Sequence, residues 1–108
     1  MSFFVSEGDI TMTNLRKLEP LFPLGRIVAT PGALEAIEAA GQTPDQFITL
    51  HHVGVWGDLD EEDKQENEFS LQNGFRLLSA YHTTNNVNIW VITEADRSVT
   101  TLLLPEEY

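Results

Sequence analysis

Cysteine is absent from the 108 residues of this chain, and its absence excludes several kinds of functional site. Without a thiol, the chain has no disulfide framework, no thiolate nucleophile and no zinc site built on cysteine. Long apolar runs are also missing, since no window approaches the ~18 residues that a membrane-spanning helix needs. The first residues, MSFFVSEGDITMTNLRKL, lack the basic start and the apolar core of a signal peptide. We therefore expect a cytoplasmic protein without a membrane partner.

Positive charge is scarce as well. The chain has 6 Lys and Arg residues against 17 Asp and Glu residues, which gives a formal net charge of -11. The basic residues are scattered along the chain and form no stripe. Because proteins bind nucleic acid largely by neutralising phosphates with Lys and Arg, we expect no direct binding to DNA or RNA. A basic protein surface is the favoured partner.

The overall composition predicts one folded domain. An apolar content of 42% and a charged content of 21% are typical of globular proteins rather than disordered ones. The length fits a single domain covering residues 1–108. Within it, residues 1–24 predict an extended N-terminal arm with a short strand near residues 3–5. Residues 25–108 are expected to form an α+β core.

Two consecutive segments have the same signals for the start and the end of a helix, TPGALEAIEAAG (30–41) and TPDQFITLHHVG (43–54). Each begins with a Thr-Pro pair suited to the N-cap and the first helical position, and each ends at glycine. Thr43 and Gln46 also have the spacing of a capping box. These signals predict two short helices that follow a strand at RIVAT (26–30).

The last third of the chain contains three strand-like runs, FRLLSAYHT (75–83), VNIWVIT (87–93) and VTTLLLP (99–105). Short turn-rich links join them, so consecutive runs should pair as an antiparallel meander. Both faces of the middle run are apolar, which is typical of a central strand. With a third helix ending at Gly74, the expected order is β-α-α-α-β-β-β. The predicted fold is α+β, with helices packed on a three- to four-stranded antiparallel sheet.

The third helix begins in the most acidic part of the chain, GVWGDLDEEDKQENEF (54–69). Acids in a first turn complement the helix dipole, and Asp58 or Asp60 can cap the free N–H groups. These effects explain the first few acids. They do not explain Glu66 and Glu68, which lie beyond the first turn.

This helix has few apolar residues, so most of its circumference should face water or a partner. An acidic face that is merely solvated is the alternative. A calcium loop is excluded because Asp63 stands where that motif requires glycine. Trp56 is interpreted either as a lid over the core or as an interface anchor. The candidate partner-binding residues are Trp56, Asp58, Asp60, Glu61, Glu62, Asp63, Glu66 and Glu68.

No sequence motif in the chain indicates an enzyme. It has no G-x-S-x-G elbow and no glycine-rich phosphate loop, and we assign no catalytic residue, cofactor or metal. Arg97 follows two acids and predicts a local ion pair. The alternative function is a small-molecule-binding protein or enzyme with a pocket between sheet and helices. Its candidate lining residues are His51, Tyr81, His82 and Trp90.

The segments WGDLDEED, GFRLLSAY and IWVITEADRSVTTLLLPEEY resemble a family of small uncharacterised bacterial proteins. Members of this family are carried on plasmids, integron cassettes and other mobile elements, and the similarity covers about residues 22–108. The resemblance implies relatives but no reaction. Together with the charge, it leads us to expect a non-enzymatic acidic protein-interaction domain, in one version a DNA mimic that binds a basic defence protein or nucleic-acid-binding protein. Strands with two apolar faces add a homodimer as a further expectation.

Overall fold

Four strands and three helices follow one another in the order β-α-α-α-β-β-β, so the predicted α+β fold is confirmed. The computed structural model describes residues 19–108, and the strand expected near residues 3–5 lies outside this range. None of the helices in the described range has both the length and the apolar character needed to cross a bilayer. The elements are β1 (Arg26–Ala29), α1 (Pro31–Ala39), α2 (Pro44–His52), α3 (Glu61–Asn73), β2 (Leu77–His82), β3 (Asn88–Thr93), β4 (Val99–Leu103) and a 3-10 turn (Pro105–Glu107).

The helix ends form where the sequence signals predict them. The Thr30 hydroxyl accepts a hydrogen bond from the Ala33 N–H (3.1 Å) at the start of α1. At the start of α2, the Thr43 N–H donates to the side-chain oxygen of Gln46 (3.3 Å). Gly74 ends α3 with a φ of 74°, a left-handed conformation that glycine adopts without strain.

The sheet has the strand order β1-β4-β3-β2. Strands β2, β3 and β4 form the predicted antiparallel meander, which places β3 inside the sheet. Strand β1 joins the edge of β4 in parallel, so the sheet as a whole is mixed rather than antiparallel throughout. The reason is the connection: three helices and two further strands separate β1 from β4, and no short link dictates their relative direction.

The core lies between the sheet and the first two helices. Ile37 of α1 and Phe47 of α2 pack on Ile89, Val91 and Leu102 from the inner strands. Side chains alternate between the two faces of a strand, so Trp90 lies on the opposite face of the sheet. There its ring contacts the ring of Tyr108, with 5.7 Å between centroids. Helices α1 and α2 therefore cover one face, and the C-terminal turn covers part of the other.

The outer edge of β2 is closed by the segment before α3 and by one side chain of α3. Ala80 donates its N–H to the Trp56 carbonyl (3.1 Å) and accepts from the Asp58 N–H (2.6 Å). Between them lies Gly57, where a Cβ would collide with the Ala80 carbonyl and φ is 82°. Two residues away on the same edge, the Leu78 N–H donates to the Asn67 side-chain oxygen (3.1 Å) and the Leu78 carbonyl accepts from the Asn67 amide (2.7 Å).

These contacts serve two purposes in the fold. An unpaired edge strand invites pairing with other chains, and here the outward main-chain groups of Leu78 and Ala80 are bonded within the chain itself. The same bonds hold α3 beside β2 in one orientation.

Candidate functional site

The side of α3 that packs against the rest of the protein carries its two buried residues, Asn67 and Ser70. Lys64 and Leu71 are half-buried beside them. All of its carboxylates are exposed. The acidic surface therefore consists of Glu61, Glu62, Asp63, Glu66 and Glu68.

Three of the seven predicted acids have local structural roles. Asp60 caps α3 by accepting from the Asp63 N–H (2.8 Å). Asp58 lies 2.8 Å from the Nδ1 atom of His82 in an exposed pair. Glu68 accepts a hydrogen bond from the indole N–H of Trp56 (3.0 Å). Glu68 is thus explained by a contact across the helix-loop junction that sequence reasoning did not foresee.

The other four acids have no side-chain partner in the described part of the chain. Among residues 19–108, the side chains of Glu61, Glu62, Asp63 and Glu66 take part in neither a hydrogen bond nor an ion pair with one another or with any neighbour. Glu62 and Glu66 are four residues apart, so they lie on the same side of the helix and repel each other. The helix keeps this unfavourable pair on its solvent side.

Trp56 does not belong to the exposed surface. Its side chain is only 4% exposed and packs with Phe22 and Leu77 in a second core cluster. The Phe22 ring is stacked on it at 6.4 Å between centroids. A partner cannot reach the indole, so the interface-anchor interpretation of Trp56 is dropped and its role as a cover over the core is kept.

The four residues expected to line a common pocket are not brought together. His51 is fully buried, and Tyr81 is buried in the main core cluster, where its hydroxyl donates to the Val55 carbonyl (2.5 Å). Trp90 lies on the other face of the sheet. His82 is exposed at the end of β2, beside Asp58. The described part of the chain therefore does not support a pocket made of these residues.

His51 is the centre of a directional chain of buried hydrogen bonds. At one end, the Thr100 hydroxyl donates to the Leu24 carbonyl (2.7 Å), so the bond between Thr93 and Thr100 (2.7 Å) must be donated by Thr93. The Nε2–H of His51 then donates to Thr93 (2.9 Å), and its Nδ1 accepts from Ser79 (2.6 Å). This arrangement requires the neutral Nε2–H tautomer.

Burial keeps this imidazole neutral. Loss of solvation lowers the pKa of His51 to about 3, and electrostatic interactions with the neighbouring His52 and Arg97 lower it further. Ser79 and His51 have the atoms of a nucleophile and its base, but both are 0% exposed. No substrate can approach the Ser79 hydroxyl, so the pair stabilises the core rather than forming an active site.

Arg97 was expected to form an ion pair and instead binds main-chain oxygens. Its guanidinium donates to the carbonyls of Phe75 (2.7 Å), Glu94 (3.1 Å), Ala95 (3.3 Å) and Ser70 (3.2 Å). Ser70 lies in the last turn of α3 and Phe75 follows its C-cap Gly74, so the guanidinium lies at the helix C-terminus, where a cation is favoured by the helix dipole. Arg97 therefore fixes the end of α3 against the turn between β3 and β4.

A cleft of about 360 Å³ lies between the 54–57 loop and α3. Its polar lining comes from Glu61, Lys64 and Glu68. One of these carboxylates, Glu68, is already bonded to Trp56. No cluster of three or more metal-ligating side chains occurs among residues 19–108.

Two phenylalanines at the end of α3 are the feature that sequence reasoning missed. Phe69 is 56% exposed and Phe75 is 53% exposed. Their rings are stacked on each other, with 5.9 Å between centroids and 13° between planes. The available signal was the place of Phe69 on α3, three and seven residues after two of the outward acids.

No protein-family model, curated protein or solved structure matches the chain, so function has to be inferred from this surface itself.

Proposed function

We propose that the chain is a non-enzymatic, acidic interaction domain that binds a basic protein surface with α3. The observation that carries this proposal is the row of four exposed carboxylates, Glu61, Glu62, Asp63 and Glu66, without partners among the described residues. A basic partner would relieve their mutual repulsion and would be attracted over some distance by the net charge of -11. The proposed compartment is the cytoplasm.

The charge density of α3 supports a more specific version, in which the domain imitates DNA. Five carboxylates occur between Glu61 and Glu68, which is about 11 Å of helix axis. This amounts to roughly one negative charge per 2 Å, close to the value of roughly one per 1.7 Å in duplex DNA. Lys64 offsets one of these charges. The proposed target is then a nucleic-acid-binding protein, and the resemblance to mobile-element proteins favours a defence protein of a bacterial host.

The test compares two variants with equal changes in charge. The helix variant carries Glu61→Gln, Glu62→Gln, Asp63→Asn and Glu66→Gln, and it leaves the capping residue Asp60 and the Trp56 partner Glu68 intact. The control variant carries Glu35→Gln, Glu38→Gln, Asp45→Asn and Glu106→Gln at exposed acids outside α3. Both lose four negative charges.

Each immobilised protein is incubated with bacterial lysate at about 50 mM and about 500 mM salt, and retained proteins are identified by mass spectrometry. We expect the native chain and the control variant to retain the same basic proteins at low salt, and the helix variant to lose them. Equal retention by all three proteins, or retention of no basic protein, contradicts the proposal.

A small-ligand function has one observation in its favour, the cleft beside α3. Lys64 and Glu61 supply an ammonium and a carboxylate at its wall, a combination suited to a small zwitterion. The measurement is thermal unfolding with a set of amino acids, on the native chain and on Lys64→Met. Stabilisation of the native chain alone would move the function to this cleft, and no stabilisation removes this candidate.

A further inference from the structure

The stacked pair Phe69–Phe75 is exposed for identifiable structural reasons. Phe69 follows the buried Asn67 by two residues, a rotation of about 200° around the helix axis, so its ring cannot reach the core. Phe75 follows the glycine that ends α3. Its N–H donates to the Ser70 carbonyl (3.2 Å) and its own carbonyl accepts from Arg97 (2.7 Å). The main chain at Phe75 is therefore held by hydrogen bonds on both of its polar groups, and the two rings pack against each other.

The pair lies at the C-terminal end of the acidic surface of α3. Glu62 and Glu66 precede Phe69 by seven and three residues, which places all three on one side of α3. The nearest basic side chain in sequence, Arg76, is engaged elsewhere: it pairs with Glu94 (3.6 Å) and donates to the Tyr108 hydroxyl. The surface thus combines carboxylates that have no partner among residues 19–108 with an exposed, stacked aromatic pair.

We propose that Phe69 and Phe75 form the anchor of the acidic surface and select a basic partner that presents arginine rather than lysine. The planar guanidinium of arginine can stack on the outer face of a phenylalanine while its N–H fork reaches a carboxylate. A lysine ammonium is a more strongly hydrated point charge and gains less from the same surface. The partner is a protein with an arginine-rich segment. This inference rests on the proposed function of α3 and names the chemistry of its partner.

The experiment titrates nona-arginine and nona-lysine peptides into the protein by isothermal calorimetry. We expect the native chain to bind nona-arginine more tightly. The variant Phe69→Ser, Phe75→Ser should lose about two- to fivefold in affinity for nona-arginine and much less for nona-lysine, which removes the preference. Phe69→Leu, Phe75→Leu keeps apolar side chains without a ring and should lose the preference in the same way.

Two controls separate the possible results. Leu34→Ser, Leu50→Ser removes two exposed apolar side chains from α1 and α2 and should leave the preference unchanged. The helix variant with four neutralised acids should bind both peptides weakly. If the preference for nona-arginine survives in both phenylalanine variants, the anchor is wrong while the acidic interface stands. If the helix variant binds both peptides as well as the native chain does, the proposed function itself fails.

Discussion

His51 is held in its neutral form by burial and by hydrogen bonds at both ring nitrogens. In the unfolded chain it takes up a proton below its ordinary pKa of 6.5, whereas in the folded chain it stays neutral down to about pH 3. The unfolded state therefore binds more protons between these values. The stability contributed by His51 is complete above pH 6.5 and is lost as the pH falls towards 3.

This linkage predicts a pH dependence that can be isolated with one variant. Between about pH 7.5 and about pH 5, the native chain should lose about 2 kcal/mol more stability than His51→Gln, at about 1.4 kcal/mol per pH unit below 6.5. Urea unfolding of both proteins at both pH values measures the difference. In the native chain, the NMR signals of the His51 ring should be those of a neutral imidazole at pH 5. A parallel loss of stability in the two proteins argues against the buried neutral imidazole.

Glu66 and Glu68 lie two positions apart on α3 and have different surroundings. The Glu68 carboxylate accepts from the Trp56 indole, whereas Glu66 has no side-chain partner among the described residues. Glu68→Ala should destabilise the fold by about 1 kcal/mol, because the indole N–H loses its acceptor. Glu66→Ala should change the stability by less than about 0.5 kcal/mol. Urea titrations followed by tryptophan fluorescence provide the measurement, and equal effects of the two substitutions would contradict the assigned roles.

At the scale of elements, the fold depends on how α3 is held against β2. Asn67→Ala should destabilise the protein by about 2–3 kcal/mol, since both main-chain groups of Leu78 lose their partners. The amide hydrogen of Leu78 should also exchange faster with solvent. Asn73 is the matched control, because its side chain only donates to the Phe69 carbonyl on the exposed side. If Asn73→Ala costs as much as Asn67→Ala, the edge contact is not what secures α3.

The elements themselves were predictable because their signals are local. Thr30 and Gly74 mark helix ends through contacts with residues a few positions away, and the β-branched runs mark strands. The parallel pairing of β1 with β4 was not predictable in this way, because it joins Arg26 to Val99 at opposite ends of the core. A sequence pattern carries no direct record of such a pairing.

In the candidate site, too, some features were predictable from the sequence and others were not. The exposed acids of α3 follow from charge and periodicity, which are readable in sequence. The burial of Trp56 and its bond to Glu68 depend on how the 54–57 loop turns back onto the helix. The stacking of Phe69 on Phe75 likewise depends on the chain reversal at Gly74 and on the carbonyl contacts of Arg97. Contacts made by turns are set by three-dimensional geometry, which local patterns do not encode.

At the scale of the whole molecule, the net charge of -11 gives salt opposite effects on two kinds of association. Binding to a basic partner should weaken as salt rises, because screening removes the attraction. We retain a homodimer as a proposal, with the outer face of the sheet around Trp90 and Tyr108 as its contact. Such a dimer should strengthen with salt, because screening removes the repulsion between two acidic copies. Light scattering at about 50 mM and about 500 mM salt measures the mass, and 12.1 kDa at both would exclude the dimer.

The central claim, that α3 is the surface which binds a basic partner, is tested most directly by mapping where a basic ligand binds. Nona-arginine is titrated into the ¹⁵N-labelled protein and the shifts of the amide signals are followed. We predict the largest shifts between residues 61 and 75, with small shifts at Glu35, Glu38 and Asp45, which are also exposed acids. Shifts spread evenly over all exposed acids, or concentrated away from α3, would contradict the account.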